Sequence, residues 1–154
     1  MWIALQTMVM KSLEYPLPAL TLTENECKEI MWIVLKTFLP NAGVNRYISR
    51  DLLYAGLEKQ GLGLNNPFIT QGLSHVADVM DHQWKKTMTG HLITESLEHM
   101  RLEIGCNMDI LMEKCEKYEA LVLTKSWIQN TWQFMSQYGI QLDEKTPKIP
   151  LAWK

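Results

Sequence analysis

The sequence lacks the usual signatures of chemistry. It has no Cys-x-x-Cys, no His-Glu-x-x-His and no Gly-x-Ser-x-Gly. The first two absences remove the common zinc spacings, and the third removes the strained turn that exposes a nucleophilic serine. Cysteine is scarce: Cys27, Cys106 and Cys115 are odd in number and widely spaced, which is no disulfide framework and reads as reduced, buried thiols. No apolar run approaches the ~20 residues of a membrane span. The apolar start, Met1-Trp2-Ile3-Ala4-Leu5, has no basic flank before it and is closed by Lys11, so no secretory signal is expected. The expected location is therefore intracellular, cytoplasm or nucleus, with no membrane as partner. Gly and Pro, at 8 and 6, are too few for a collagen-like or linker composition. Alternating strand patterns, internal repeats and low-complexity tracts are also missing.

What remains is an ordinary globular composition. Over 154 residues, 47% hydrophobic and 21% charged side chains are enough for one substantial core and too apolar for disorder. The formal charge of −2 announces no strongly basic domain. Charge is uneven, however. Residues 95–119 carry seven acidic against three basic side chains, so this stretch is poorly suited to lie on phosphate. Ten Met and six Trp are many for this length. Most fall on apolar stripes, and packing is their default role.

Helical signals recur along the chain. Leu5, Met8, Val9 and Leu13 predict a helix over 2–14, ended by Tyr15-Pro16-Leu17-Pro18. Thr23-Glu24-Asn25-Glu26 is a capping box before Cys27, Ile30, Met31, Val34, Leu35 and Phe38, which predicts a helix over 24–38 stopped by Pro40 to Gly43. Ser49 is expected to cap a short helix through Tyr54, and Asn66-Pro67 to start one carrying Ile69, Leu73, Val76 and Met80 inward. Thr87 or Thr89 opens the next, with Ile93, Leu97, Met100 and Ile104 inward and Gly105 ending it. Asn107 is expected to cap a helix through Glu119, and Thr124 a last one with Trp127, Ile128, Thr131, Trp132 and Met135 inward. The fold class is thus all-α: an irregular bundle of five or six helices over 1–140 with an extended tail over 141–154. Its expected core includes Ile30, Val34, Leu73, Val76, Leu97, Trp127 and Trp132.

Candidate chemical groups mostly reduce to structure. His75 and His82 are seven residues apart and His91 and His99 eight, spacings that do not chelate a metal within one helix. No metal and no cofactor are expected. Glu95, Glu98, Glu103, Glu113 and Glu116 read as a solvated acidic face rather than a general acid–base pair. Gly61-Leu62-Gly63 follows no strand and precedes no Lys-Ser/Thr, so it reads as a turn rather than a phosphate cradle. Trp32 is the exception. It lies between Lys28 and Lys36 at steps of four on the less apolar side of its helix, a stripe that fits either a nucleic-acid backbone or an amphipathic flank.

One longer series of residues carries a resemblance. Tyr15-Pro16-Leu17-Pro18-Ala19-Leu20-Thr21-Leu22-Thr23, Cys27-x-x-Ile30, Leu39-Pro40-x-x-Gly43, Arg46, Arg50, Gly61-Leu62-Gly63 and Gln71-Gly72 occur in this order, followed by Leu123-Thr124-x-x-Trp127 and Trp132-x-Phe134. The series resembles the region after the polymerase core in reverse transcriptases of the non-LTR retrotransposon type. The resemblance implies a thumb or helical connection that braces a primer–template duplex of RNA or DNA, joined to a polymerase core in a parent polypeptide. It implies Lys28, Lys36, Arg46, Arg50 and Lys59 as phosphate contacts. The polymerase reaction itself needs paired aspartates to hold two Mg²⁺ ions. This sequence contains no Asp-Asp, so no catalytic residue is expected and the chain looks like a catalytically empty piece of such an enzyme. The alternative is a helical protein-interaction or structural module that never touches nucleic acid. Clustering of the five basic side chains on one face would favour the brace, and scattering among acids the module.

Overall fold

The computed structural model describes residues 2–123 and 125–142. Thr124, expected as a helix cap, and the expected tail beyond residue 142 lie outside the described residues. Six helices and several 3₁₀ turns make up the secondary structure, with no strand among the described residues. The all-α reading holds. The chain divides into two compact units, Met1–Ser74 and His75–Lys154.

The first unit begins with α1, a composite of Trp2–Ala4, a π-helical turn Leu5–Val9 and Met10–Glu14. In the π-turn the Met10 N–H donates to the Leu5 carbonyl, one residue beyond the usual α-helical partner. This register brings Leu5 and Met10 into the core and leaves Met8, expected inward from an even α-spacing, exposed. Next, α2 (Glu24–Asn41) starts at Thr23 with the complete capping box. The Thr23 hydroxyl accepts from the Glu26 N–H at 3.3 Å, and the Glu26 carboxylate accepts from the Thr23 N–H at 2.7 Å. The helix runs three residues past the expected stop at Phe38. Pro40 is tolerated because it sits in the final turn, where the missing N–H costs one bond and a following turn is not required. The Leu39 carbonyl then accepts from Ala42 and Val44, and Gly43 takes the left-handed conformation that ends the helix.

A short helix, α3 (Arg50–Tyr54), follows Ser49, whose side chain makes no capping hydrogen bond, contrary to expectation. The strand-like stretch after it is strapped back onto α3: the N–H groups of Leu62, Gly63 and Leu64 donate to the carbonyls of Leu52, Ala55 and Leu53. The Gly61 N–H donates to the Gly56 carbonyl, and a Cβ at Gly61 would run into the Ala55 carbonyl. These donors are spent inside the fold, so Gly61-Leu62-Gly63 is a turn with nothing left to cradle a phosphate. Leu5, Met10, Met31, Leu35, Leu39, Leu53 and Leu64 pack as one buried cluster, with Ile48, Phe38 and Val34 half-buried around it.

Helix α4 (Pro67–His82) starts as expected, with the Asn66 side chain accepting from the Phe68 N–H and Pro67 at the first position. Its buried face differs from the apolar stripe Ile69, Leu73, Val76 and Met80. Gln71, Gly72, His75, Val76 and Val79 are buried, and Leu73 is 42% exposed. Gln71 took an inner position because partners wait for it. The Gln71 carboxamide accepts from the Leu22 N–H and donates to the Leu22 carbonyl, both near 3 Å.

The second unit holds α5 (Met88–Ile104) and α6 (Trp127–Tyr138). Thr87, one of the two caps the sequence left open, caps α5 by accepting from the Gly90 N–H, while buried Ile93, Leu97, Met100 and Ile104 and the left-handed Gly105 at its end are as read from the sequence. Ser126 caps α6, and Gly139 closes it. The helix expected from Asn107 to Glu119 is replaced by three 3₁₀ turns, Ile110–Met112, Cys115–Lys117 and Glu119–Leu121. A continuous helix would engage the Glu113 carbonyl. Instead it accepts the Trp132 indole N–H at 2.6 Å, and the Cys115 N–H donates to the Ser136 hydroxyl. Of the expected core, Val76, Leu97 and Trp132 are buried, while Ile30, Val34 and Trp127 are half-buried.

The capping box yields a first test. Its hydrogen bonds hold the Glu26 carboxyl below the usual carboxylate range, the Thr23 backbone N–H contributing most and its hydroxyl next. A depressed folded-state pKa gives stability that is present above the ordinary carboxylate range and is lost as pH falls through the lowered value. Thr23→Ala is expected to cost about 1 kcal/mol, read as a lower denaturant midpoint at unchanged slope. Glu26→Gln is expected to flatten the acid limb of the stability–pH curve, and an acid limb identical to the parent's would show that the box does not form.

Candidate functional site

A concavity of the first unit lies where the outer side of α2 faces α3 and the start of α4. It has a volume of about 710 Å³, and Cys27, Met31, Trp32, Ile33, Tyr54 and Pro67 give it an apolar lining. Five charged side chains stand around it: Lys28 and Arg50, with Glu24, Glu29 and Asp51. The groove exists because the capping box starts α2 beside the entry to α4, and the strap over 61–64 holds α3 against the same core.

Trp32 is the hub. It is 43% exposed, and the Arg50 guanidinium lies 5.8 Å from its ring centroid, within cation–π range. No carboxylate comes within ion-pair distance of Arg50, and no hydrogen bond involves its side chain among the described residues, so its donors stay available for a planar anion. Lys28 is already engaged, 2.7 Å from the Glu24 carboxylate one turn earlier. That exposed pair is worth a few tenths of a kcal/mol, about 0.3–0.5, and an incoming phosphate can displace it cheaply. Burial raises the Tyr54 hydroxyl above its ordinary pKa, with Arg50 partly opposing. Burial also pushes the Cys27 thiol up, and the Glu26 and Glu24 carboxylates add to it.

Of the five basic residues singled out, Lys28 and Arg50 come together at Trp32. Lys36 is exposed two turns along α2, outside the lining. Arg46 is exposed in the loop before α3, its guanidinium 5.0 Å from the Tyr47 ring centroid, and Lys59 is exposed at the end of the 3₁₀ turn Leu57–Lys59. The Lys28-Trp32 step was legible from helical spacing. Tyr54, Glu29, Asp51 and the Asn66-Pro67 edge were not, because only folding brings α3 and α4 to α2. Among the described residues, no three of His, Cys, Asp and Glu converge as metal ligands, and no helix is long and apolar enough to cross a membrane.

Comparison with protein-family models, with curated proteins and with solved structures finds no match for this chain.

The groove's thiol offers a direct probe of its packing. Cys27 is buried and its thiolate disfavoured, whereas Cys106 is half-buried. Alkylation of the native chain at mildly alkaline pH is expected to modify Cys106 well before Cys27, with Cys27 reacting fully only after denaturant is added. Peptide mass mapping over time checks the order, and early modification of Cys27 would refute the packing described.

Proposed function

We propose that this chain is a non-catalytic helical segment of a retrotransposon-type RNA-directed DNA polymerase, bracing the primer–template duplex through phosphate contacts. The observation that carries the reading is the exposed Lys28–Trp32–Arg50 cluster, in which Arg50 keeps its donors for an outside anion. Lys36 extends the same helix by eight residues, about 12 Å along its axis, which matches the rise of three to four phosphates on one strand. Arg46 and Lys59 supply further exposed positive charge in the same unit. The resemblance carried by the series from Tyr15 to Phe134 supplies the parent polymerase, and the reading carries with it an intracellular location, cytoplasm or nucleus.

One observation favours a second reading. Only Lys28 and Arg50 of the five basic side chains meet at the groove, and Glu24, Glu29 and Asp51 stand around it, so its rim is mixed in sign, which suits a protein-interaction module better than a phosphate track.

The two separate by salt dependence. Under the bracing reading, duplex binding is insensitive to sequence, and log K falls against log salt with a slope of about −3 to −5, as for three to five neutralised phosphates. Arg46→Gln with Arg50→Gln is expected to weaken binding and flatten the slope while folding is retained. A parent chain without salt-dependent duplex binding, or a double variant that binds like the parent, would hand the site to the interaction-module reading.

The reading also excludes polymerase chemistry by this chain alone. Purified protein is expected to incorporate no nucleotide on any primer–template, since no paired carboxylates are available to hold two metal ions. Template-dependent synthesis that copurifies with the chain through successive columns would refute it.

A further inference from the structure

The turn between α4 and α5, in the second unit, presents a different kind of surface. Trp84 is 80% exposed there, whereas Trp132 in the same unit is fully buried. Lys85 and Lys86 follow it, both exposed, with no carboxylate at ion-pair distance among the described residues. Met88, at the start of α5, is exposed as well.

The backbone beneath these side chains is tightly built. The Lys85 N–H donates to the His82 carbonyl at 3.0 Å, and the Thr94 hydroxyl donates to the Gly90 carbonyl at 2.9 Å with the Gln83 carbonyl 3.3 Å away. Thr87 caps the following helix through the Gly90 N–H. Gly90 is required here, because a Cβ would run into the carbonyls of Lys85 and His82. The turn therefore holds an indole and two ammonium groups in water on a backbone with little freedom, and packing explains none of the three side chains.

We propose that this turn is a binding site for single-stranded nucleic acid, with an unpaired base stacking on Trp84 and the flanking phosphates meeting Lys85 and Lys86. An exposed indole offers a π-face that any base can use, and adjacent lysines supply the charge for the backbone on either side. The site stands on the unit His75–Lys154 and does not rest on the duplex contacts proposed for Met1–Ser74. An anionic bilayer could also attract an indole and two lysines. Charge argues for the strand. The chain carries −2 overall, and Glu95 and Glu98 lie exposed further along α5, so a broad anionic plane meets repulsion that a narrow strand on one turn avoids.

The test uses the full chain, a dye-labelled short oligo-dT and fluorescence anisotropy. Trp84→Ala is expected to weaken binding by about five-fold or more, and Trp84→Phe to keep most of the affinity, since stacking needs only an aromatic face. Lys85→Gln with Lys86→Gln is expected to make the salt slope shallower by about 1.4, two phosphates at about 0.7 each on a single strand. The thermal midpoint of Trp84→Ala should equal the parent's, because the ring is solvent-exposed. Oligo-dT affinity unchanged in both Trp84→Ala and the lysine double variant would overturn the proposal. So would a parent chain that ignores oligo-dT and binds phosphatidylserine-rich vesicles through Trp84. Duplex binding lost in the Arg46/Arg50 variant speaks only to the brace: oligo-dT binding that survives there and fails in Trp84→Ala supports this site by itself.

Discussion

Two hydrogen bonds between the Gln71 carboxamide and the backbone of Leu22 tie the first unit together. The side chain is 3% exposed, and both of its polar atoms are satisfied by one residue 49 positions away. The extended stretch before α2 has no sheet to join, so its N–H and C=O need partners from elsewhere, and a carboxamide supplies one of each. Stripping the amide away would leave a donor and an acceptor unpaired, at about 1–3 kcal/mol apiece. Because Thr23 follows directly, the clamp also sets where the capping box begins α2 relative to the start of α4. The groove at Trp32 lies between those two starts. Its geometry thus depends on a polar contact, while its walls depend on the leucine-rich cluster behind them.

Charge around that groove is balanced rather than one-sided. Three carboxylates and two cations line it, and the cations differ in kind. Lys28 is held by Glu24, an exposed contact that solvent screens. Arg50 rests by the Trp32 ring, a partner that does not neutralise its charge. An arginine so placed is positioned without being quenched, which is the physical basis for the proposal that it meets an outside anion. The exposed Trp84 turn of the other unit has lysines in place of the arginine and, among the described residues, no carboxylate at ion-pair distance from them.

The second unit shows a comparable rule at work in its core. Trp132 is fully buried and carries one donor that must be met. The Glu113 carbonyl meets it, and the segment around Glu113 gives up helical hydrogen bonding to do so, settling into short 3₁₀ turns that place Ile110, Leu111 and Cys115 inward. The Tyr118 ring lies 6.2 Å from the Trp132 indole, and the Lys117 ammonium lies 5.1 Å from the Tyr118 ring centroid, so an aromatic column runs from core to surface.

Local chemistry alone determined a good deal of this protein. The helical class, the capping box at Thr23 and Glu26, the Asn66-Pro67 start, the Thr87 cap and the glycine stops at Gly105 and Gly139 all follow from interactions spanning about one helical turn. The stripe on α5 was legible for the same reason, as its period is that of an undistorted helix. The tertiary structure decided what depends on distant partners. The π-turn exchanged Met8 for Met10, Gln71 and His75 took inner positions while Leu73 stayed out, and the Trp132 indole kept the Asn107–Glu119 stretch from forming one helix. The site divides along the same line. Lys28, Trp32 and Lys36 share a helix, and spacing reveals them. Arg50 reaches Trp32 from α3 across an interval of 18 residues, which no local pattern records, because that contact is set by the packing of the core between them.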